Sequence, residues 1–293
     1  MKHTHIYLLT LLLALLFIVG CDKDDTPNFG ETILTEQKTY IDVSYGKDIL
    51  QKMDIHLPAN RSPQTTEVII LIHGGAWIKG NKEEMNEFVK EIKQQMGNKY
   101  AIVNMNYRTV NPLGPRYMLP TQPDDINNVI NFVEKNAQEL GVKARFVPMG
   151  VSAGGHLAML YSYKHDSKKR VKAIINIVGP SDLSDSFYTN DPLFNLGMRY
   201  IAKDNDIPSR YTAAEFASPI TWVSSSSQPT ISFYGELDHL IPESQQIKLE
   251  AELNKHGVDN EKVTYNMVHL FYEKIKDAVD DIVTKAKVFI DKY

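Results

Sequence analysis

The chain has 293 residues, a formal net charge of −4 and 43% hydrophobic residues. That composition is globular, and the length supports a sizeable core in one large domain or two small ones. Mild acidity and the lack of a Lys/Arg block exclude nucleic acid as an expected partner.

The first thirty residues are a different polymer. Lys2 supplies a positive charge, residues 6–19 are almost wholly apolar, and Gly20 leads into Cys21. A helix spanning a bilayer needs roughly 20 apolar residues. The shorter run here suits the central region of a secretory signal. "IVGC" (18–21) resembles the lipobox of bacterial lipoproteins, in which a cysteine is lipidated and becomes the mature N-terminus. Residues 1–20 are therefore expected to be a lipoprotein signal peptide and Cys21 the lipidation site. The alternative is a free cysteine after an uncleaved anchor. Cys21 is the sole cysteine, so no intrachain disulfide framework is expected. Residues 21–31 are acidic, polar and proline-containing, and read as a flexible tether. Their "DKDD" start resembles the acidic export signal of some Gram-negative surface lipoproteins. The implied location is the bacterial cell envelope, with the chain lipid-anchored to the outer membrane and exposed at its surface.

A folded domain is expected over residues 32–293. "TYIDVSY" (39–45) and "QKMDIHLP" (51–58) alternate apolar and polar residues, as half-buried antiparallel strands do. Runs at 68–73, 100–107, 145–150, 171–179 and 229–235 are nearly all apolar, which suits buried central strands; 261–267 reads as a last strand. Helical patterns occupy 82–95, 123–140, 243–257 and 273–293. In the second, Ile126, Val129, Ile130 and Val133 share one face, with Asp124 or Asp125 as N-cap. Gly257 closes the third. Strands alternating with helices predict an α/β fold: a mostly parallel sheet covered on both faces, with the first two strands as its antiparallel edge. Residues 181–227 break this rhythm. They are rich in aromatics, Asp and Pro, hold one expected helix at 192–202, and are expected to form a lid or cap-like insertion.

The chemistry begins at "FVPMGVSAGGHLAML" (146–160). A strand meets a helix at Ser152, with Gly150, Gly154 and Gly155 around it. Small residues there permit a sharp, strained turn that exposes the serine, the nucleophile elbow. The helix N-terminus aims free N–H groups at whatever sits beside Ser152. By itself G-x-S-x-G is equally a small-residue turn with an incidental serine. "HGGAW" (73–77) follows the buried run 68–72 and resembles the H-G-G-G/A motif of an oxyanion hole.

Together these motifs resemble the α/β-hydrolase fold, and within it the esterase/lipase group with an H-G-G-x-W loop. The resemblance implies oxyanion donors at Gly75 and Ala76, turn freedom at Gly74, and a further donor at Ala153. Ala76 stands where many relatives have glycine, which narrows the backbone freedom there. The implied chain order is Ser, then acid, then His. The acid is expected at Asp238 in "ELDHLIP", which fits a G-x-x-D-x-x-[VI]-P pattern; Glu236 is the competitor. Of the histidines that follow, His239 is too close to the acid and His256 lies inside a helix. His269, between the last strand and last helix, is the expected base. His73, His156, Tyr107 and Arg108 are read as structural. Trp77 either stacks on a sugar or feruloyl ring or packs in the core. "IDVSYGKDILQKMDIHLP" (41–58), "NYRTVN", "SAGGHLA" and "ASPITWV" resemble a bacterial branch of carbohydrate esterases that removes acetyl or feruloyl groups from plant polysaccharides. The implied activity is a serine esterase with a Ser-His-Asp triad acting on an acylated oligosaccharide or polysaccharide. No cofactor is implied, and no histidine spacing suggests a metal. The same framework also hosts general carboxylesterases, lipases, small amidases and peptidases, and non-catalytic binding proteins.

Overall fold

The computed structural model describes residues 29, 34–111, 114, 116–192, 194, 197–198, 202, 207–266 and 275–293. The expected signal peptide, Cys21 and His269 lie outside them, as does much of the helix expected at 192–202.

The strands are β1 (Lys38–Ser44), β2 (Lys52–Leu57), β3 (Glu67–Ile72), β4 (Tyr100–Met105), β5 (Phe146–Val151), β6 (Ile174–Ile177), β7 (Thr230–Gly235) and β8 (Asn260–Tyr265). They form one eight-stranded sheet in the order β1-β2-β4-β3-β5-β6-β7-β8. The β1–β2 and β2–β4 pairs are antiparallel, and the remaining pairs are parallel. This is the arrangement of the α/β-hydrolase fold. β3, β4, β5 and β7 are buried along their whole length, because helices cover both faces. β8 alternates half-buried and exposed positions because it is an edge. β1, the other edge, departs from the expected alternation: its register shifts between Tyr40 and Val43, and Ile41 is left exposed. Ile72 of β3 is level with Gly150 of β5, so the two strands end side by side.

The main helices are α1 (Asn86–Met96), α2 (Thr121–Lys135), α3 (Ala153–Leu160), α4 (Glu243–Lys255) and α5 (Ile275–Ile290). On one face, Ile69, Leu71, Val147, Met149, Ile175 and Phe233 recur at every second strand position. They form one cluster with Phe88 and Ile92 of α1 and Ile282 and Phe289 of α5. On the other face α3 packs across β5 and β6, with α2 beside it.

The start of α2 differs from the expectation. The helix begins at Thr121, with Pro120 at its N-cap, so neither Asp124 nor Asp125 caps it. Pro123 is tolerated because first-turn N–H groups lack intrahelical partners. Asp125 is instead fully buried. It accepts bonds from Arg108 (2.6 Å from Nη2, 2.8 Å from the backbone N–H) and from Gln51 Nε2 (2.8 Å). Arg108 therefore serves a buried ion pair. Gly257 does close α4, at φ 68°.

Residues 181–227 leave the C-terminal end of β6 and include the short helices Ser186–Thr189 and Ala213–Ala217. Gln245 of α4 holds the first part, its Oε1 accepting from Ser181 N and Asp182 N at 2.9 and 2.8 Å. Lys248 adds ion pairs to Asp182 and Asp185 at 2.7 and 2.8 Å. Among the described residues, no helix is long and apolar enough to cross a membrane.

Candidate active site

The C-terminal ends of β3, β5 and β7 each lead into one part of the site. β5 ends at Val151 and α3 begins at Ala153, so Ser152 alone makes the turn. Its backbone sits at φ 53°, ψ −120°. A positive φ in an L-residue other than glycine is sparsely populated and strained, and it persists only where surroundings enforce it. Here they do. Ser152 N–H donates to Ile177 O of β6 at 2.8 Å, and Ser152 O accepts from His156 N–H at 3.0 Å. The residues on either side are buried while Ser152 is half-buried, so the turn presents the serine outward. Close backbone approach explains the glycines. A Cβ on Gly154 would lie 2.0 Å from Ile72 O of β3, and one on Gly150 would lie 2.2 Å from the Gly154 carbonyl. Ala153, the first helical residue, has an N–H with no acceptor within the helix.

The loop after β3 runs through three consecutive left-handed residues: Gly75 (φ 102°), Ala76 (φ 51°) and Trp77 (φ 65°). Gly75 is obligatory, since a Cβ there would meet Lys79 O at 2.0 Å. Ala76 occupies a region that glycine enters more easily. His73 and Tyr107 hold the near end of the loop. His73 Nδ1 donates to Gly74 O at 2.8 Å, and Tyr107 OH donates to the same oxygen at 3.0 Å. The two rings stack at 4.2 Å. In a trans peptide the C=O and N–H point in opposite directions. Pinning Gly74 O on the His73 side therefore turns Gly75 N–H away from it. Burial holds His73 neutral, with its pKa lowered to about 4. At the far end Trp77 is only 8% exposed. Its indole N–H donates to His156 Nδ1 at 3.1 Å. A packed position is thus what the fold provides for Trp77.

Asp238 lies in the loop after β7 and is buried. Its Oδ1 accepts from Leu240 N–H and Ile241 N–H at 2.8 and 2.9 Å. Glu236, the competing acid, is exposed, and so is His239. His256 sits at the end of α4 with its Nε2 3.1 Å from Glu252 Oε1. β8 leads toward His269, which is outside the described residues.

Sequence reasoning missed Asn176, which is buried within β6. Asn176 Nδ2 donates to Tyr234 OH at 2.9 Å, and Asn176 Oδ1 accepts from Gly179 N–H at 2.9 Å. Tyr234 OH in turn donates to Gly179 O at 2.8 Å. This network braces the turn after Ile177, the residue that accepts the Ser152 N–H. An asparagine inside the apolar run "IINI" was the available signal, because a buried amide has to find partners. Among the described residues, no group of three or more His, Cys, Asp or Glu is placed to hold a metal ion.

The sequence profile of the BD-FAE family matches residues 53–253, more than half of the chain. The chain belongs to the BD-FAE family. The match takes in β2 through α4, including the Gly74–Trp77 loop, the Ser152 turn and Asp238. This BD-FAE chain is 25% identical over 215 residues to the esterase LipC of Mycobacterium tuberculosis, covering 69% of this chain and 52% of LipC. It spans about half the length of the curated relatives it matches. Its fold is shared with a truncated carbohydrate esterase from gut microbiota (TM-score 0.66, 18% identity, 88% of this chain and 99% of that one). It is also shared with esterase B of Lactobacillus rhamnosis in a structure with a tributyrin phosphonate (TM-score 0.69, 17% identity, 89% of each chain). At these identities the likeness establishes the fold.

Proposed function

We propose that this chain is a serine esterase that hydrolyses carboxylic esters, with acetyl or feruloyl groups on plant polysaccharides as its substrates. Ser152 Oγ attacks the acyl carbon while His269 takes its proton. Asp238 holds the imidazole in one tautomer and offsets the charge it gains. The N–H groups of Gly75, Ala76 and Ala153 meet the oxygen that becomes negative. The bond from the acyl carbon to the sugar oxygen then breaks, and His269 returns the proton to the departing alcohol. Water repeats the sequence and frees the acid from Ser152.

One observation carries this reading: Ser152 is held in a left-handed backbone conformation at the head of α3, half-buried between buried neighbours. Membership of the BD-FAE family and the fold shared with a carbohydrate esterase support the ester substrate. The likeness of residues 41–58 to the opening of bacterial carbohydrate esterases supports the sugar. The reading is tested by turnover of an aryl acetate, together with acid release from acetylated xylan, feruloylated arabinoxylan and acetylated pectin. Ser152→Ala is expected to keep less than about 1% of parental turnover. Retention of more than a few percent would remove Ser152 as nucleophile. Acid release from none of the three polymers would remove the substrate class.

A further inference from the structure

The two segments that supply the oxyanion donors are joined by a side chain that the mechanism above does not use. His156 lies on α3, four residues after Ser152, and is fully buried. Its backbone N–H donates to Ser152 O at 3.0 Å. Its ring makes two further bonds, Nδ1 to the Trp77 indole at 3.1 Å and Nε2 to Ala217 O at 2.7 Å. An indole nitrogen can only donate and a carbonyl oxygen can only accept. One neutral tautomer, protonated at Nε2, satisfies both. The ring also meets the Trp77 ring edge-on, with centroids 5.1 Å apart.

We infer that His156 is a positioning residue for the oxyanion hole, tying the Ala76 loop to the Ser152 turn and bracing both against the 181–227 segment. The inference rests on the serine-esterase reading above. Ala76 and Ala153 come from segments that share no covalent connection shorter than the whole α1–β4–α2–β5 stretch. Pairing of β3 with β5 sets their coarse spacing. That pairing ends at Ile72 and Gly150, before the donors. Beyond it, Gly75, Ala76 and Trp77 all hold left-handed backbones. Glycine enters that region freely, whereas alanine and tryptophan need a contact to keep them there. Gly74 O is pinned at one end of this arc, and the Trp77–His156 bond is the matching pin at the other. Ala76 lies between the two pins. Ala217 then fixes the imidazole from the far side, so the ring cannot turn without leaving a buried N–H unpaired.

A donor held for the transition state and misplaced by a fraction of an ångström lowers kcat and leaves KM nearly unchanged. The full chain would be assayed for kcat and KM on an aryl acetate, for the rate at which an aryl phosphonate modifies Ser152, and for thermal melting. Trp77→Phe keeps an aromatic side chain, though a smaller one, and removes the donor. His156→Leu removes both ring bonds, and His156→Gln offers one carbonyl acceptor and one N–H donor in their place. Trp77→Phe and His156→Leu are expected to lower kcat and the phosphonylation rate by about tenfold or more, with KM within about threefold of the parent. His156→Gln is expected to recover most of that loss. Parental kcat in both variants, with only a lower melting temperature, would overturn the inference and leave His156 a packing residue. Raised KM at parental kcat would also overturn it, and would make Trp77 a substrate platform. If His156→Leu does not fold, Trp77→Phe decides alone. A parent chain that the phosphonate does not label at Ser152 would instead strike the serine-esterase reading, and this inference with it.

Discussion

His73 and His156 are each 0% exposed, and both have pKa values lowered to about 4 by burial. Each donates its one ring proton to a backbone carbonyl, Gly74 O and Ala217 O. In the unfolded chain both titrate near 6.5. Between about pH 6.5 and 4 the unfolded state therefore binds protons that the folded state refuses, and stability rises with pH across that window. The contribution is complete above the unfolded value and is lost as pH falls toward 4. Its slope approaches about 1.4 kcal/mol per pH unit for each histidine. Urea midpoints at pH 7.5, 5.5 and 4.5 are expected to fall in that order, with activity compared only where the chain is folded. The carboxylates with lowered pKa, Asp185 among them, lose their contribution at lower pH. A midpoint constant from pH 7.5 to 4.5 would mean that the two imidazoles are not buried as described.

At the scale of elements, the site depends on how closely α3 approaches β3. The two make contact along the first turn of the helix, where Gly154 faces the carbonyls of Ile72 and His73. A Cβ at Gly154 would lie 2.0 and 2.6 Å from those oxygens, which are backbone atoms that a side-chain rotation cannot move aside. Gly154→Ala must therefore lift the head of α3 off the sheet and carry Ser152 and Ala153 with it. Overpacking of this kind typically costs about 1–3 kcal/mol. The expected outcome is a lower urea midpoint together with a large fall in aryl acetate turnover. A variant as stable and as active as the parent would contradict the close approach. Other elements are held by charge. Asp125 joins the head of α2 to Arg108 beyond β4 and to Gln51 before β2. Lys248 of α4 is ion-paired with both Asp182 and Asp185 at the start of the 181–227 segment. Tyr188 of that segment also donates to Leu240 O, two residues from Asp238, at 3.2 Å. The insertion is thus bonded both to the loop that carries the proposed acid and, through Ala217, to the elbow helix.

For the whole molecule, the proposed chemistry and the proposed location make separate predictions. The α/β domain carries every proposed catalytic group, and residues 1–31 carry the proposed anchor. With the chain expressed from Met1 in a Gram-negative host, radiolabelled palmitate is expected to enter the protein and the protein to partition with membranes. Cys21→Ser is expected to abolish both while kcat on a soluble aryl acetate stays within about twofold, because no proposed catalytic residue is touched. Palmitate incorporation that survives Cys21→Ser would rule out this cysteine as the lipid site.

Much of this was legible in the sequence because the relevant physics is local. Period-two alternation and all-apolar runs marked the eight strands, since a strand's burial on one face or two is written in its own residues. The Ser152 turn was legible because only small neighbours allow a strand to bend so sharply into a helix. The Gly74–Gly75 pair was legible for a similar reason. The start of α2 was misread because Asp124 and Asp125 look like caps, and only the folded chain brings Arg108 and Gln51 to Asp125. For the acid, the sequence favours Asp238 over Glu236, two residues earlier, by a short pattern alone. The curl of the loop after β7 buries one against its own backbone N–H groups and leaves the other in water. Trp77 could equally have faced a ligand or the core. Its partner, His156, is 79 residues away in sequence. They meet because β3 pairs with β5 across a sheet order that the local pattern does not encode. The sequence by itself determined the elements and the sharp turns, which follow from side-chain size and nearest-neighbour sterics. Only the tertiary structure decided which polar groups pair, because pairing depends on strand order and on removing water from both partners at once.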